Sequence, residues 1–257
     1  MTPAARYEGL AALAASVARD VGEAIDVRSI GIVKRKGGRA NFATAADHAA
    51  EKAIIARLRT HDGAIAVLAE ESATREARRA ERLWVVDPID GTLNFSRAVP
   101  FYAVSIAYVE DGRVRAGAVH APRLDETFVA HEGGGARLNG APIAVGTTRA
   151  LAQAFVLATP SRIELLRKHA ARLRTFGAAT LEIAYTAAGR FDLFIHPVLS
   201  PWDIAAAGLI AREAGAAVVS LTTGEDAAWD EPRVIIGRPA LVREALRRVP
   251  ALMKRST

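Results

Sequence analysis

Cysteine is absent from this 257-residue chain, which excludes disulfides, thiolate-held zinc, iron–sulfur clusters and a cysteine nucleophile. Any metal ion must then be held by oxygen or imidazole. Aromatic residues make up only 6%, and none of the basic runs is interleaved with them, so the pattern of a single-strand nucleic-acid binder is missing. No stretch of about 18 apolar residues is free of charge or glycine, so no membrane span is predicted. The segment from Met1 to Asp20 lacks a basic start followed by an unbroken apolar run, so no secretory leader is predicted and the expected location is cytoplasmic. Nucleotide-binding loops are missing as well: no G-x-x-x-x-G-K-S/T occurs, and no G-x-G-x-x-G follows an early strand.

What is present has the balance of a folded protein. Hydrophobic residues are 51% and charged residues 24%, which argues against global disorder. This length predicts one domain over 1–257, with intimate halves of about 1–145 and about 146–257. The net charge of +6 admits a nucleic-acid, membrane-surface or small anionic partner. The basic residues are interleaved with acids along most helical segments, so a solvated arginine-rich surface is the simpler reading. Local basic excesses occur at Lys34-Arg35-Lys36 with Arg39, at Arg78-Arg79, and at Arg247-Arg248 with Lys254-Arg255.

Apolar periodicity predicts helices over 5–24, 45–59, 161–173, 178–189, 201–214 and 239–248. Strands are predicted at 29–36, 64–69, 83–86, 155–158, 191–195, 218–221 and 234–237. Two hairpins are predicted, one turning at Asp111-Gly112 between 102–109 and 114–120, the other joining 126–131 to 136–138. The pattern is α/β (α+β), layered, with mixed sheets and hairpins rather than a simple parallel sheet.

The informative segment is Trp84-Val85-Val86-Asp87-Pro88-Ile89-Asp90-Gly91-Thr92-Leu93-Asn94-Phe95. An apolar strand delivers two carboxylates, three residues apart, into a predicted turn. Gly91 permits close backbone approach, and a helix starting there aims its first amides at an anion. Carboxylates crowded at a strand end call for a hard divalent cation, and magnesium with a phosphate is the natural pairing. A calcium EF-hand loop does not fit, because its glycine and terminal glutamate positions are Thr92 and Ala98. An aspartyl-phosphate phosphatase needs its aspartates two apart. Glu70-Glu71 supplies further acid after the apolar run 65–69. In Ser200-Pro201-Trp202-Asp203, Asp203 also reads as a capping-box acid. Thr44-x-x-Asp47 has the same capping reading.

Taken together and in order, these segments resemble the inositol monophosphatase family of magnesium-dependent, lithium-sensitive phosphatases. The family signature W-x-x-D-P-I/L-D-G-T/S-x-N-F is matched by Trp84 to Phe95, G-E-E by Ala69-Glu70-Glu71, W-D-x-A-A-G/A by Trp202 to Ala207, and T-x-x-D by Thr44 to Asp47. The resemblance runs from about residue 5 to 248. It implies the αβαβα sandwich of the inositol monophosphatase and fructose-1,6-bisphosphatase type, a homodimer, and two to three Mg2+ ions. Glu70, Asp87 and the Ile89 carbonyl would hold the first ion, and Asp87, Asp90 and Asp203 the second. Glu70 would also touch a third. Thr92, oriented by Asp47, would position and help deprotonate the attacking water. The amides of Gly91 and Thr92 would bind phosphate oxygens, and Asp90 would face the hydroxyl beside the ester. Gly177 and Ala179 would line the substrate ring, and Lys36 would approach the metal–phosphate site.

Substrate choice is where the chain departs from the family. Seven residues before the motif aspartate, inositol-preferring members carry a glutamate, and here that position is His196. A histidine can bond a ring hydroxyl, or meet a second anionic group when protonated. The implied substrate is a small polyol or sugar phosphate, in the order inositol 1-phosphate, fructose 1,6-bisphosphate, histidinol phosphate. The rival of another class is a non-catalytic nucleic-acid-binding paralogue using the basic surface. The complete acid set argues against it, and nucleic acid is not expected as a partner.

Overall fold

A computed structural model describes residues 2–25, 32–35 and 42–254, the backbone alone at 32–35 and 42–44. Its first helix, α1 (Pro3–Ala24), starts where Thr2 caps the Ala5 amide and Pro3 sets the first helical φ. Its buried stripe includes Leu10, Ala14, Val17, Ala18 and Val21. β1 (Ile32–Arg35) and β2 (Phe42–Thr44) form a small antiparallel pair. Then come α2 (Ala45–His61), β3 (Ala66–Ala69), α3 (Arg75–Arg78), β4 (Arg82–Asp90) and the short α4 (Thr92–Ser96). β5 (Ala103–Glu110) and β6 (Arg113–Ala121) make the hairpin at Asp111-Gly112, where φ is 52° and 70°. Both values suit the tight hairpin turns that match strand twist. β7 (Glu126–His131), β8 (Ala136–Leu138) and β9 (Ala141–Pro142) complete the first half. The second half holds β10 (Phe155–Ala158), α5 (Pro160–Leu166), β11 (Arg172–Arg174), α6 (Ala179–Ala187), β12 (Leu193–His196), α7 (Pro201–Glu213), β13 (Ala217–Ser220), β14 (Val234–Gly237) and α8 (Pro239–Arg248).

Strands β3 to β9 lie side by side in chain order as a seven-stranded sheet, parallel between β3 and β4 and antiparallel elsewhere. A five-stranded mixed sheet has the order β11-β10-β12-β14-β13. Three apolar clusters define five layers. Trp84, Val86, Ile106 and Tyr108 pack under α1 and α2. The opposite face of that sheet, with Val85, Ala107, Val119 and Phe128, packs on α6 and α7, whose far sides meet Leu157, Phe194 and Ile236. Val156, Ile195 and Ile235 face outward under Leu241, Val242 and Ala245 of α8. Alternate residues of β10 and β12 thus serve different cores, the period of two of a strand covered on both faces. The result is the αβαβα sandwich expected from the sequence. α7 sits close because Gly117 on β6 has no side chain; a Cβ there would come 3.1 Å from Ala206 Cα.

Two expectations differ from the fold. The helix predicted over 161–173 stops at Leu166, and Arg172–Arg174 instead adds an edge strand parallel to β10. The Leu/Arg/Ala composition favours helix, but an open edge of β10 offers unpaired backbone groups that outweigh propensity. The strand predicted over 83–86 continues through Asp87 to Asp90, with a bulge opposite Ser105 and Ala103. The two carboxylates are therefore carried by a strand, and Pro88 is tolerated because it falls in the irregular stretch. Among the described residues no helix is long and apolar enough to cross a membrane.

Candidate active site

The acids converge where β3 and β4 end and α4 and α7 begin. β3 leads straight into Glu70, whose N–H bonds the Val86 carbonyl at 3.2 Å, so the turn carrying Glu70 is fixed to β4. Glu51, buried on α2, secures that turn from behind by accepting the Glu71 N–H at 2.8 Å. The β4 bulge turns Asp87 and Asp90 to one side. Asp203 arrives from the first turn of α7, where it caps the helix by accepting the Ser200 N–H at 2.7 Å. Its capping role and its place in the acid group are therefore compatible. One carboxylate oxygen from each of Asp87, Asp90 and Asp203 lies within 4.8 Å of the others.

This is a costly arrangement for bare protein. Asp87 is 2% exposed and Asp90 7%. Burial pushes the Asp87 carboxyl well above its ordinary range, and the charges of Glu70, Asp90, Asp203 and Asp47 push the same way. Asp203 is pushed up to about 8, first by burial and then by Asp90. Asp90 is raised by burial, against the pull of bonds from Thr180, Ala179 and Leu181. Among the described residues no lysine or arginine pairs with Asp87, Asp90 or Asp203. Buried carboxylates this close, all oxygen and without a lysine or arginine partner among the described residues, match the donor set of a hard divalent ion. The metal cofactor that the resemblance implies therefore fits these residues.

Around this group lie other residues singled out in the sequence. Thr92 opens α4, and its hydroxyl lies 3.1 Å from Asp47 Oδ1 and 3.0 Å from the Ile89 carbonyl. Ile89 also bonds through its N–H to Asp87 Oδ1 at 3.1 Å. Gly91 precedes α4 with φ of 86°, and a Cβ there would sit 2.9 Å from Ala178 Cβ and 3.2 Å from the Phe101 carbonyl. Only glycine suits both the conformation and the space. Asp90 is gripped from the C-terminal half: Ala179 N–H donates to Oδ1 at 3.1 Å, and Thr180 N–H to Oδ2 at 2.7 Å. A cavity of about 190 Å3 is lined by Asp90, Gly177, Ala179, His196 and Asp203, together with Thr159, Thr175, Ala178, Glu182 and Leu199. Larger cavities along α7 and between α1 and α2 are lined by none of the predicted site residues. Lys36 lies outside the described residues.

Sequence reasoning missed three supporting groups. Asn94 donates through Nδ2 to the carbonyls of Phe101 at 2.8 Å and Phe176 at 2.7 Å, tying α4 to the 176–179 loop. Its place inside the 84–95 motif was the available signal. Thr180 bonds Asp90 with both its N–H and its hydroxyl. Glu182 on α6 is 4% exposed and accepts the N–H groups of Phe176 at 2.5 Å and Gly177 at 3.3 Å. Burial raises its carboxyl to about 7. A lone acid between Leu181 and Ile183 gave no periodic cue.

Comparison with known proteins bears on the family and the fold. The sequence model of the inositol monophosphatase family matches residues 6–251. A Thermotoga maritima protein named fructose-1,6-bisphosphatase/inositol-1-monophosphatase is 38% identical over 205 residues, 77% of this chain and 79% of that protein. Escherichia coli Nus factor SuhB is 36% identical over 222 residues, 81% of this chain and 82% of that one. The solved structure of a Thermotoga maritima IMPase superposes with a TM-score of 0.86 at 34% identity, covering 93% of this chain and 95% of that one.

Proposed function

The chain belongs to the inositol monophosphatase family, metal-dependent phosphatases of phosphate monoesters, and from that premise we propose a Mg2+-dependent phosphomonoesterase acting on a small polyol or sugar phosphate, inositol 1-phosphate first. The observation that carries this reading is the trio Asp87, Asp90 and Asp203, drawn together in a buried setting without a lysine or arginine partner among the described residues. Glu70, Asp87, Asp90, Asp203 and the Ile89 carbonyl would hold two to three ions. When bound, they supply charge neutralisation for the phosphoryl group and lower the pKa of water.

The rest of the task belongs to the chain. Uncatalysed monoester hydrolysis is extremely slow, so alignment and charge stabilisation carry most of the rate. Thr92 gives its single hydroxyl proton to Asp47 or to the Ile89 carbonyl. Its oxygen is then left as an acceptor, suited to orient a water and take its proton toward Asp47. The amides of Gly91 and Thr92, at the start of α4, would bind phosphate oxygens. Asp90, fixed by the Ala179 and Thr180 amides, would face the substrate hydroxyl beside the ester. Gly177, Ala179 and His196 would contact the rest of the substrate.

The reading also carries the family's homodimer and lithium sensitivity as expectations. Phosphate release from a panel of monoesters, with and without Mg2+ and with added lithium, tests it. The Asp87→Asn variant should keep its circular dichroism spectrum and lose Mg2+-dependent turnover. Wild-type turnover in that variant would sink the metal assignment.

A second reading, a binding role separate from hydrolysis, is favoured by the relative named a Nus factor and by the charge of +6. Steep salt-dependent affinity for nucleic acid, with no hydrolysis on the panel, would support it.

A further inference from the structure

A cavity of about 500 Å3 lies along α7 and shares no lining residue with the smaller one that holds Asp90 and Asp203. Its long wall is the helix itself. Ile204, Ala205, Gly208, Leu209 and Arg212 recur every three to four residues, so one face of α7 is presented from its first turn to its last. At 1.5 Å per residue that wall runs for roughly 12 Å. Gly208 leaves it without a side chain midway. The facing walls are Val114 at the start of β6, Val218 on β13 and the stretch Ala227-Ala228-Trp229. Trp229 is the one aromatic ring among the described lining residues. It packs on the central apolar cluster, and the next residue, Asp230, accepts a bond from Arg78 at 2.6 Å, which ties that wall to α3. Small-molecule sites typically measure about 300–1,000 Å3, so the volume suits a compact organic ligand.

Charge gathers at one end, where α7 finishes and β6 begins, and most of it is engaged. Asp226 pairs with Arg212, which also donates to the Ala227 carbonyl at 2.6 Å. Glu213 accepts the Gly133 and Gly135 N–H groups at 2.9 Å each. Glu132 is bonded by Arg115. Among the described residues, the ion pair of Arg113 is a 4.0 Å approach to that same Glu132, with the arginine side chain 73% exposed. A long, shared contact in water contributes little, so the Arg113 guanidinium can turn to another anion.

We propose that this cavity is a second ligand site, which takes an aromatic carboxylate with its ring between α7 and Trp229 and its carboxylate on Arg113. A flat ring fits a slot walled by alanine, glycine and an indole, and gains from burial and from ring-on-ring contact. A guanidinium can hold a carboxylate through two parallel N–H bonds. A cationic ligand would have to displace the partners that Glu132, Glu213 and Asp226 already have. None of this uses the acidic trio, so the proposal goes beyond the phosphatase reading and does not depend on it.

Indole-3-acetate is the probe, and its neutral isostere indole-3-acetamide the control. Each is titrated into the intact protein labelled with 15N-tryptophan, and the indole N–H signals are followed by NMR. One series contains Mg2+ and saturating inorganic phosphate, and the other contains neither. Saturable binding of the carboxylate is expected with a Kd at or below about 1 mM, equal in the two series. The Trp229 signal should move, while that of Trp84, buried under α1 and α2, stays in place. The amide should bind at least about fivefold more weakly. Arg113→Gln, a change at an exposed side chain, should abolish that preference and leave the affinity for the amide unchanged. Equal affinities for the two probes in the wild-type protein, a Trp229 signal that does not move, or displacement by Mg2+ and phosphate would overturn the proposal. Phosphate release from the ester panel is a separate measurement, so the phosphatase reading can stand or fall on its own.

Discussion

The Thr92 hydroxyl stands 3.1 Å from a carboxylate oxygen of Asp47, 45 residues earlier in the chain. The start of α4 and the first turn of α2 are therefore linked through the Thr92 hydroxyl. Thr92→Ala and Asp47→Asn are each expected to lower kcat by about 10²-fold, with a smaller effect on KM, while Thr92→Ser retains most activity. Steady-state kinetics with circular dichroism as the folding control checks this. Equal losses for Thr92→Ser and Thr92→Ala would mean that the methyl group, not the hydroxyl, matters.

Cation binding should change how stability depends on pH. The carboxyl of Asp203 titrates at about 8 in the fold against 3.8 when unfolded. Between those values the folded state holds more protons than the unfolded state, so stability falls as pH rises through that window. Glu182, raised to about 7 from 4.5, has the same sign. His120 and His196, both lowered by burial, act oppositely and lose stability as pH drops below 6.5. Comparing melting temperatures with and without Mg2+ isolates the acids. The Mg2+ increment should be larger at pH 8 than at pH 5 and reach about 3 kcal/mol near a hundred times Kd. Asp203→Asn, which keeps an acceptor for the Ser200 amide, should raise the metal-free melting temperature at pH 8 and shrink the increment.

Gly91→Ala is expected to destabilise by about 1–3 kcal/mol, because the residue holds a left-handed φ and a Cβ would press on Ala178 and the Phe101 carbonyl. Urea unfolding measures the loss. Activity should fall further than stability alone accounts for, since the same shift moves Thr92.

A single cooperative transition is predicted for thermal unfolding, with separate fragments 1–145 and 146–257 failing to fold. The central cluster draws Val85, Val119 and Phe128 from one half and Leu157, Ile204 and Ile236 from the other. Either fragment alone would expose that face. Two resolved calorimetric peaks would contradict it.

Much of the site was legible because its acids sit at element boundaries, where sequence patterns are sharpest. Asp87 and Asp90 follow an apolar run, Glu70 follows another, and Asp203 stands in a capping box. What sequence could not supply was the environment. Glu182 looks like a solvent-facing acid on an amphipathic helix, yet α6 lies between two sheets and has no solvent side at that residue. His196 was visible as a candidate, but its neutrality depends on burial and on the Val198 amide, whose N–H donates to Nδ1. The segment 167–174 misled for a related reason: its composition suits a helix, and only the open edge of β10 makes it a strand. The layered fold was readable from the alternation of elements, and α3 and β9 were too short to leave a pattern.

The bond from the Thr180 amide to Asp90 spans 90 residues, and Asp203 follows later still, on the helix packed between both sheets. During synthesis the first half can emerge with Glu70, Asp87 and Asp90 in place along the chain and still lack a formed site. Contacts of such long range are made slowly and late. Tight cation uptake would then mark the completed fold, and a nascent or truncated chain would be catalytically silent.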